Sequence, residues 1–159
     1  PAFEPMLHPY LQERLKGHLK VDGAMTEARV LKQTMELERS LRLAEEAALS
    51  QNLVTELERG GRAVSGLREV LHKLNVHEVQ TLVLNRNFTQ EGLACPRCRF
   101  MYLDEARCPN CQIKTDKVTD IVHEAVHSAM DHKGQVRYLT PPSKLDHFGK
   151  IGAFLRFKS

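Results

Sequence analysis

All four cysteines of the chain fall in two pairs, Cys95-Pro96-Arg97-Cys98 and Cys108-Pro109-Asn110-Cys111, with nine residues between the pairs. Two residues between sulfurs let both face one ion. Two such knuckles supply the four thiolates that tetrahedral zinc favours, at Zn–S distances of about 2.3 Å. Rubredoxin-type iron and a redox dithiol are the other chemistries this spacing allows. Four thiolates close the coordination sphere, so an ion held by them braces a fold and activates no water. Cys95, Cys98, Cys108 and Cys111 are therefore expected to bind a structural Zn2+. The ribbon around them buries little apolar area, so its order should depend on the ion.

A second pattern, His123-Glu124-Ala125-Val126-His127, matches the His-Glu-x-x-His of zinc proteases. Helical spacing puts both histidines beside or opposite the apolar stripe of their helix, where they should face solvent. No Glu occurs after Glu124, the residues beyond His127 lack the metzincin extension, and Asp131, His132, Asp146 and His147 match no known arrangement of further ligands. The pattern is read as fortuitous. His8, His72 and His77 are read as surface or turn residues. Gly-x-Ser-x-Gly, Walker A and Gly-x-Gly-x-x-Gly motifs are absent. No catalytic residue, no small-molecule substrate and no enzymatic activity are expected.

The elements that must position the cysteines begin with a lead-in, which carries a helical turn from Leu7 to Leu15 and then a strand or loop at His18–Val21. From Ala24 to Arg59 there is no Gly or Pro, and Glu, Leu, Ala, Arg and Lys dominate, which predicts helix. Its apolar face drifts, so one bent helix or two in series are expected, ended by Gly60-Gly61. Ser65 is expected to cap a helix striped by Leu67, Val70, Leu71 and Leu74. Val79–Leu84 reads as a strand buried on both faces. Between the knuckles, Arg99–Leu103 should form one side of a hairpin and Asp104–Arg107 its turn. Asp116–His132 predicts a helix with Val118, Ile121, Val122, Ala125, Val126, Ala129 and Met130 on its apolar stripe. Gly134 stops it, Val136–Leu139 is a second strand, and a third runs from Ala153 to Phe157. Helices alternating with strands imply an α/β layered domain.

The 159 residues, 42% hydrophobic and 27% charged with no Trp, suit one globular core and need no disulfide framework. No run approaches 18 apolar residues, so no membrane span is expected; the opening residues lack a signal peptide, so the cytoplasm is. Pro1 in place of Met suggests a start inside a longer chain. The net charge of +3 is too small for nucleic-acid binding by charge alone. Locally, Lys133, Arg137, Lys144, Lys150, Arg156 and Lys158 stand against Asp146 alone after residue 131, a segment that could face RNA or only solvent.

Taken in order, these blocks resemble the C-terminal domain of archaeal and eukaryotic class I peptide chain release factors, shared in outline with the ribosome-rescue factor Pelota. Leu7-His8-Pro9-Tyr10-Leu11 is similar to the segment leaving that family's middle domain. The long Glu-rich helix and Gly66–Leu71 running into Val79–Leu84 resemble its helix-then-strand block. The paired Cys-x-x-Cys stands where archaeal members carry one. Phe148-Gly149-Lys150-Ile151-Gly152-Ala153-Phe154-Leu155-Arg156-Phe157 is similar to its Gly-rich close, with Lys150, Ala153 and Phe157 departing from it as in a divergent member such as a bacterial relative. The resemblance implies a three-layer α/β/α sandwich like that of kink-turn ribosomal proteins, with a long N-terminal helical segment. Residues 1–23 would lead in from a preceding domain, and 24–159 would form the domain with a zinc ribbon at 93–113. It implies docking of a translational GTPase or recycling factor and, through the full-length protein, the ribosome. The catalytic Gly-Gly-Gln of the family's middle domain is absent, Gly60-Gly61-Arg62 being a helix stop. The alternative is direct RNA binding through Arg97, Arg99, Arg107 and the basic end.

Overall fold

The computed structural model describes residues 4–21, 23 and 25–158, in two units with the boundary between Glu45 and Glu46. The first three residues of the expected lead-in and Ala24, expected to open the long helix, lie outside the described residues. In the first unit Pro9 starts a short helix, α1 (Pro9–Gln12), where a missing N–H costs nothing, and the His8 ring accepts from the Tyr10 N–H at 3.3 Å. The helical turn thus ends before Leu15, and His18–Val21 is loop.

The alternative of two helices in series does not hold: α2 (Glu27–Glu58) is one unbroken helix of 32 residues. Its drifting stripe serves different neighbours along its length. Leu37 comes within 3.3 Å of where a Gly17 side chain would start, and Leu49, Leu53 and Leu57 pack in the second unit. Gly60, at φ +58, reverses the chain, and the Gly61 N–H returns to the Glu56 carbonyl at 2.8 Å.

The second unit is built on β1 (Ala63–Ser65), α3 (Leu67–Asn75), β2 (Val79–Asn85), β3 (Gly92–Ala94), β4 (Met101–Tyr102), β5 (Asp116–Val118), α4 (Ile121–Asp131), β6 (Gln135–Leu139) and β7 (Ile151–Leu155). Its main sheet has the order β1-β7-β2-β6, with β2 parallel to β6 and antiparallel to β7. Alternation along β2 shows why Leu82–Leu84 reads as apolar without a break. Leu82 and Leu84 join Val70, Leu71, Ile121 and Ala125 of α3 and α4, while Val83 joins Leu53, Leu139 and Leu145 on the opposite face. Close approach on that face requires Gly152, since a Cβ there would stand 2.7 Å from Leu53 Cδ2. The fold is mixed α/β, with four α-helices among the described residues.

Four boundary expectations are corrected. Ser65 does not cap α3; it pairs with Gly152 in β1, and Gly66, at φ +82, holds the cap position. Asp116–Val118 is strand, and α4 starts at Ile121, where Asp120 accepts from the N–H groups of Val122 and His123. Met130 lies 59% exposed, off the apolar stripe. Strand β7 starts at Ile151 and stops at Leu155, leaving Phe157 exposed.

Candidate metal centre

The cysteines sit on a second, smaller sheet of order β4-β3-β5. Each knuckle forms the tip of its own hairpin. The first lies between β3 and β4, where Ala94 faces Met101, and the second is closed by a bridge between Arg107 and Lys114. Asp104–Arg107 links the two hairpins and is not the turn of a single one, which corrects the expectation from sequence.

The two knuckles repeat one backbone pattern. Cys95 accepts from the Arg99 N–H and donates to the Phe100 carbonyl, both at 2.9 Å; Cys108 accepts from the Gln112 N–H at 2.8 Å and donates to the Ile113 carbonyl at 2.9 Å. Arg99 and Gln112, each next after the second cysteine of its pair, take φ +60 and +59, a left-handed conformation uncommon outside glycine. Such strain persists where surrounding structure over-determines it. Here it turns both sulfurs of each pair inward.

All four Sγ atoms lie within 4.8 Å of one another, and those of Cys98 and Cys108 are 3.5 Å apart. A tetrahedron with bonds of about 2.3 Å has edges of about 3.8 Å, whereas a disulfide requires about 2.05 Å. The cluster therefore fits a tetrahedral ion, and the four cysteines could bind a metal. Cys95 and Cys108 are buried and the other two half-buried.

The thiols do not share one environment. Burial opposes a charge on Cys108, yet hydrogen bonds from the Tyr102 hydroxyl at 3.4 Å and the Cys111 N–H at 3.4 Å outweigh it and bring its pKa down to about 6. Burial and the neighbouring sulfurs push Cys111 up to about 12, and burial also raises Cys98. Burial and the bond to Cys108 keep the Tyr102 phenol neutral. The Cys108 thiolate forms readily while Cys98 and Cys111 resist, as expected of clustered like charges.

The ribbon is fixed to the main body by residues whose part the sequence reading missed. Asn75, at the end of α3, accepts from the Met101 N–H and donates to the Met101 carbonyl, both at 2.9 Å and buried. It thus satisfies the edge of β4 as a further strand would. Arg68 of α3 grips the Asp104 carboxylate at 2.8 and 3.0 Å and holds its pKa below the ordinary carboxylate range. Thr115, buried, donates to the Glu105 carbonyl at 2.7 Å and ties down the second hairpin. Asn75 reads in the sequence as a turn residue, and only its long-range partner reveals the role.

Arg97, Arg99 and Arg107 are exposed on the ribbon. In the basic C-terminal segment, Arg156 is spent on structure, donating to the carbonyls of Val79 and His132, and Lys144 donates to Gln51. His123 and His127 are exposed on α4, as expected. Among the described residues, no group of three or more His, Cys, Asp or Glu side chains converges as a metal site except the four cysteines, so Asp131, His132, Asp146 and His147 complete no site with the pair. No helix among them is long and apolar enough to cross a membrane.

No protein-family model matches the sequence, and no curated protein matches it in sequence. Solved structures do match. The C-terminal domain of the peptide chain release factor of Methanosarcina mazei aligns at 22% identity and TM-score 0.60 over 86% of this chain and 99% of that domain. Pelota of Archaeoglobus fulgidus aligns at 20% identity and TM-score 0.57 over 87% of this chain. Ribosome-bound archaeal Pelota, described together with ABCE1, aligns at 19% identity and TM-score 0.51 over 89% of it. The chain spans 39% and 34% of those two Pelota chains. Over most of its length, the chain has the mixed α/β fold of the C-terminal domain of a peptide chain release factor and of Pelota.

Proposed function

We propose that the chain is a non-catalytic interaction domain of a release-factor-like protein acting in translation termination or ribosome rescue. It docks a translational GTPase or a recycling factor. Residues 24–159 form the domain, a layered α/β body carrying a zinc ribbon at 93–113, with structural Zn2+ on Cys95, Cys98, Cys108 and Cys111. The observation that carries this reading is the match along 99% of an archaeal release-factor C-terminal domain. Two neighbours suggest the partner classes: the Pelota described as ribosome-bound with ABCE1, and Saccharomyces cerevisiae Dom34, described as interacting with Hbs1. The centre supports a bracing role, because its four sulfurs leave an ion no open position. Co-sedimentation of the zinc-loaded protein with purified ribosomes, and pull-down of a purified Hbs1-type GTPase or an ABCE1-type recycling factor, test the reading. Binding to at least one of them is expected; binding to none would refute it.

Exposed Arg97, Arg99 and Arg107 favour a second reading, direct RNA contact through the ribbon. Affinity would then fall steeply with salt, in proportion to the phosphates neutralised, and reversing the three charges would abolish it. A docking face with an apolar centre responds to salt far less.

A further inference from the structure

The His-Glu-x-x-His segment does not enter the proposed function, yet the structure brings its two imidazoles together. His123 and His127 lie one turn apart on α4, their Nε2 atoms 3.0 Å from each other and their rings edge to face at 4.5 Å. Asp120 caps the first turn of the helix through the Val122 and His123 N–H groups, which fixes the backbone carrying His123. An ion bound at about 2.0–2.1 Å by two imidazole nitrogens holds them about 2.9 Å apart at a right angle and about 3.4 Å apart at the tetrahedral angle. The observed separation lies inside that span.

We propose that His123 and His127 form a second metal site, an exposed two-imidazole chelate for a divalent first-row transition ion, independent of the four cysteines. Neutral imidazole suits Zn2+, Ni2+ and Cu2+ and not Mg2+ or Ca2+. Glu124 and Asp131 line the same groove and favour a cation there, while Arg99 opposes one; Cys98 also lines it, but its sulfur converges with the other three cysteines and not with the histidine pair. No third donor joins the pair among the described residues, so water completes the coordination. That open sphere separates this site from the closed one on the ribbon and keeps its affinity modest. His132 is otherwise engaged: its Nδ1 lies 2.8 Å from the Ser128 carbonyl and its ring stacks on His77 at 3.7 Å.

The test is titration of the zinc-loaded protein with Ni2+, monitored by calorimetry and by imidazole NMR. One further ion per chain is expected, with paramagnetic broadening of the His123 and His127 ring signals and no response to Mg2+. His123→Gln and His127→Gln should each weaken binding by about tenfold or more, whereas His72→Gln, on α3, should leave it unchanged. Zinc retention and circular dichroism report that the variants are folded. Broadening confined to other histidines, or Ni2+ affinity unchanged in both variants, would overturn the proposal, as would no further ion bound at millimolar Ni2+.

Discussion

Replacing Asn75 with Leu should loosen the ribbon from the body without touching a cysteine. In the native protein the Asn75 side chain satisfies both the N–H and the carbonyl of Met101 at 2.9 Å, in a site where Asn75 is 8% exposed and Met101 4%. Leu keeps the branching at Cγ and the number of side-chain heavy atoms but makes neither bond, and β3 does not compensate, because Met101 turns both groups away from its partner Ala94. Each buried backbone group left without a partner costs about 1–3 kcal/mol, so the pair should cost roughly 2–6 kcal/mol. That is a large part of the stability of a domain of this size. Asn75→Asp keeps the acceptor for the Met101 N–H but sets a carboxylate against the Met101 carbonyl, and should do no better. Urea denaturation of the zinc-loaded protein measures the loss, and amide hydrogen exchange at Met101 and Tyr102 locates it. A change under about 0.5 kcal/mol with unaltered exchange would refute the claim that this side chain stands in for a strand.

Gly152→Ala should destabilise by about 1–3 kcal/mol, since its methyl meets Leu53 Cδ2 at 2.7 Å and the Val64 carbonyl at 3.1 Å; adding Leu53→Val should recover part of the loss in thermal denaturation. Arg99→Gly should keep the first knuckle intact, whereas Arg99→Val, which forces a β-branched side chain to φ +60, should cost about 1–2 kcal/mol and speed zinc loss to a chelator. Because the thiols must lose their protons to bind the ion, zinc binding at about pH 7 should release protons, a release that calorimetry in buffers of unequal ionisation heat would detect and that should shrink in Cys108→Ser.

Features set by local chemistry could be read from the residues alone. Cysteine spacing announced the cluster because a knuckle is a four-residue object. The mostly apolar run at Val79–Leu84 announced a doubly covered strand, and Gly60-Gly61 announced the end of α2. What escaped depends on partners distant in the chain. Ser65 has the chemistry of a cap, but pairing with Gly152 takes it into a strand. Asp116–Val118 shares the helical spacing of α4, yet three residues are enough to pair with β3 once the ribbon folds back. The left-handed turns at Arg99 and Gln112 carry no sequence signal, since glycine is what usually marks that conformation. Lys150 shows the same thing at φ +64, in a stretch where the resembling family carries glycine.

X-ray absorption at the zinc edge, paired with elemental analysis of the purified chain, tests the proposed centre most directly. One zinc atom per chain, surrounded by four sulfurs at about 2.3 Å, is expected, and Cys98→Ser should replace one sulfur by a lighter atom. Less than one tightly held metal atom per chain, or a first shell of mixed nitrogen and oxygen, would contradict a tetrathiolate ribbon and remove the brace proposed here.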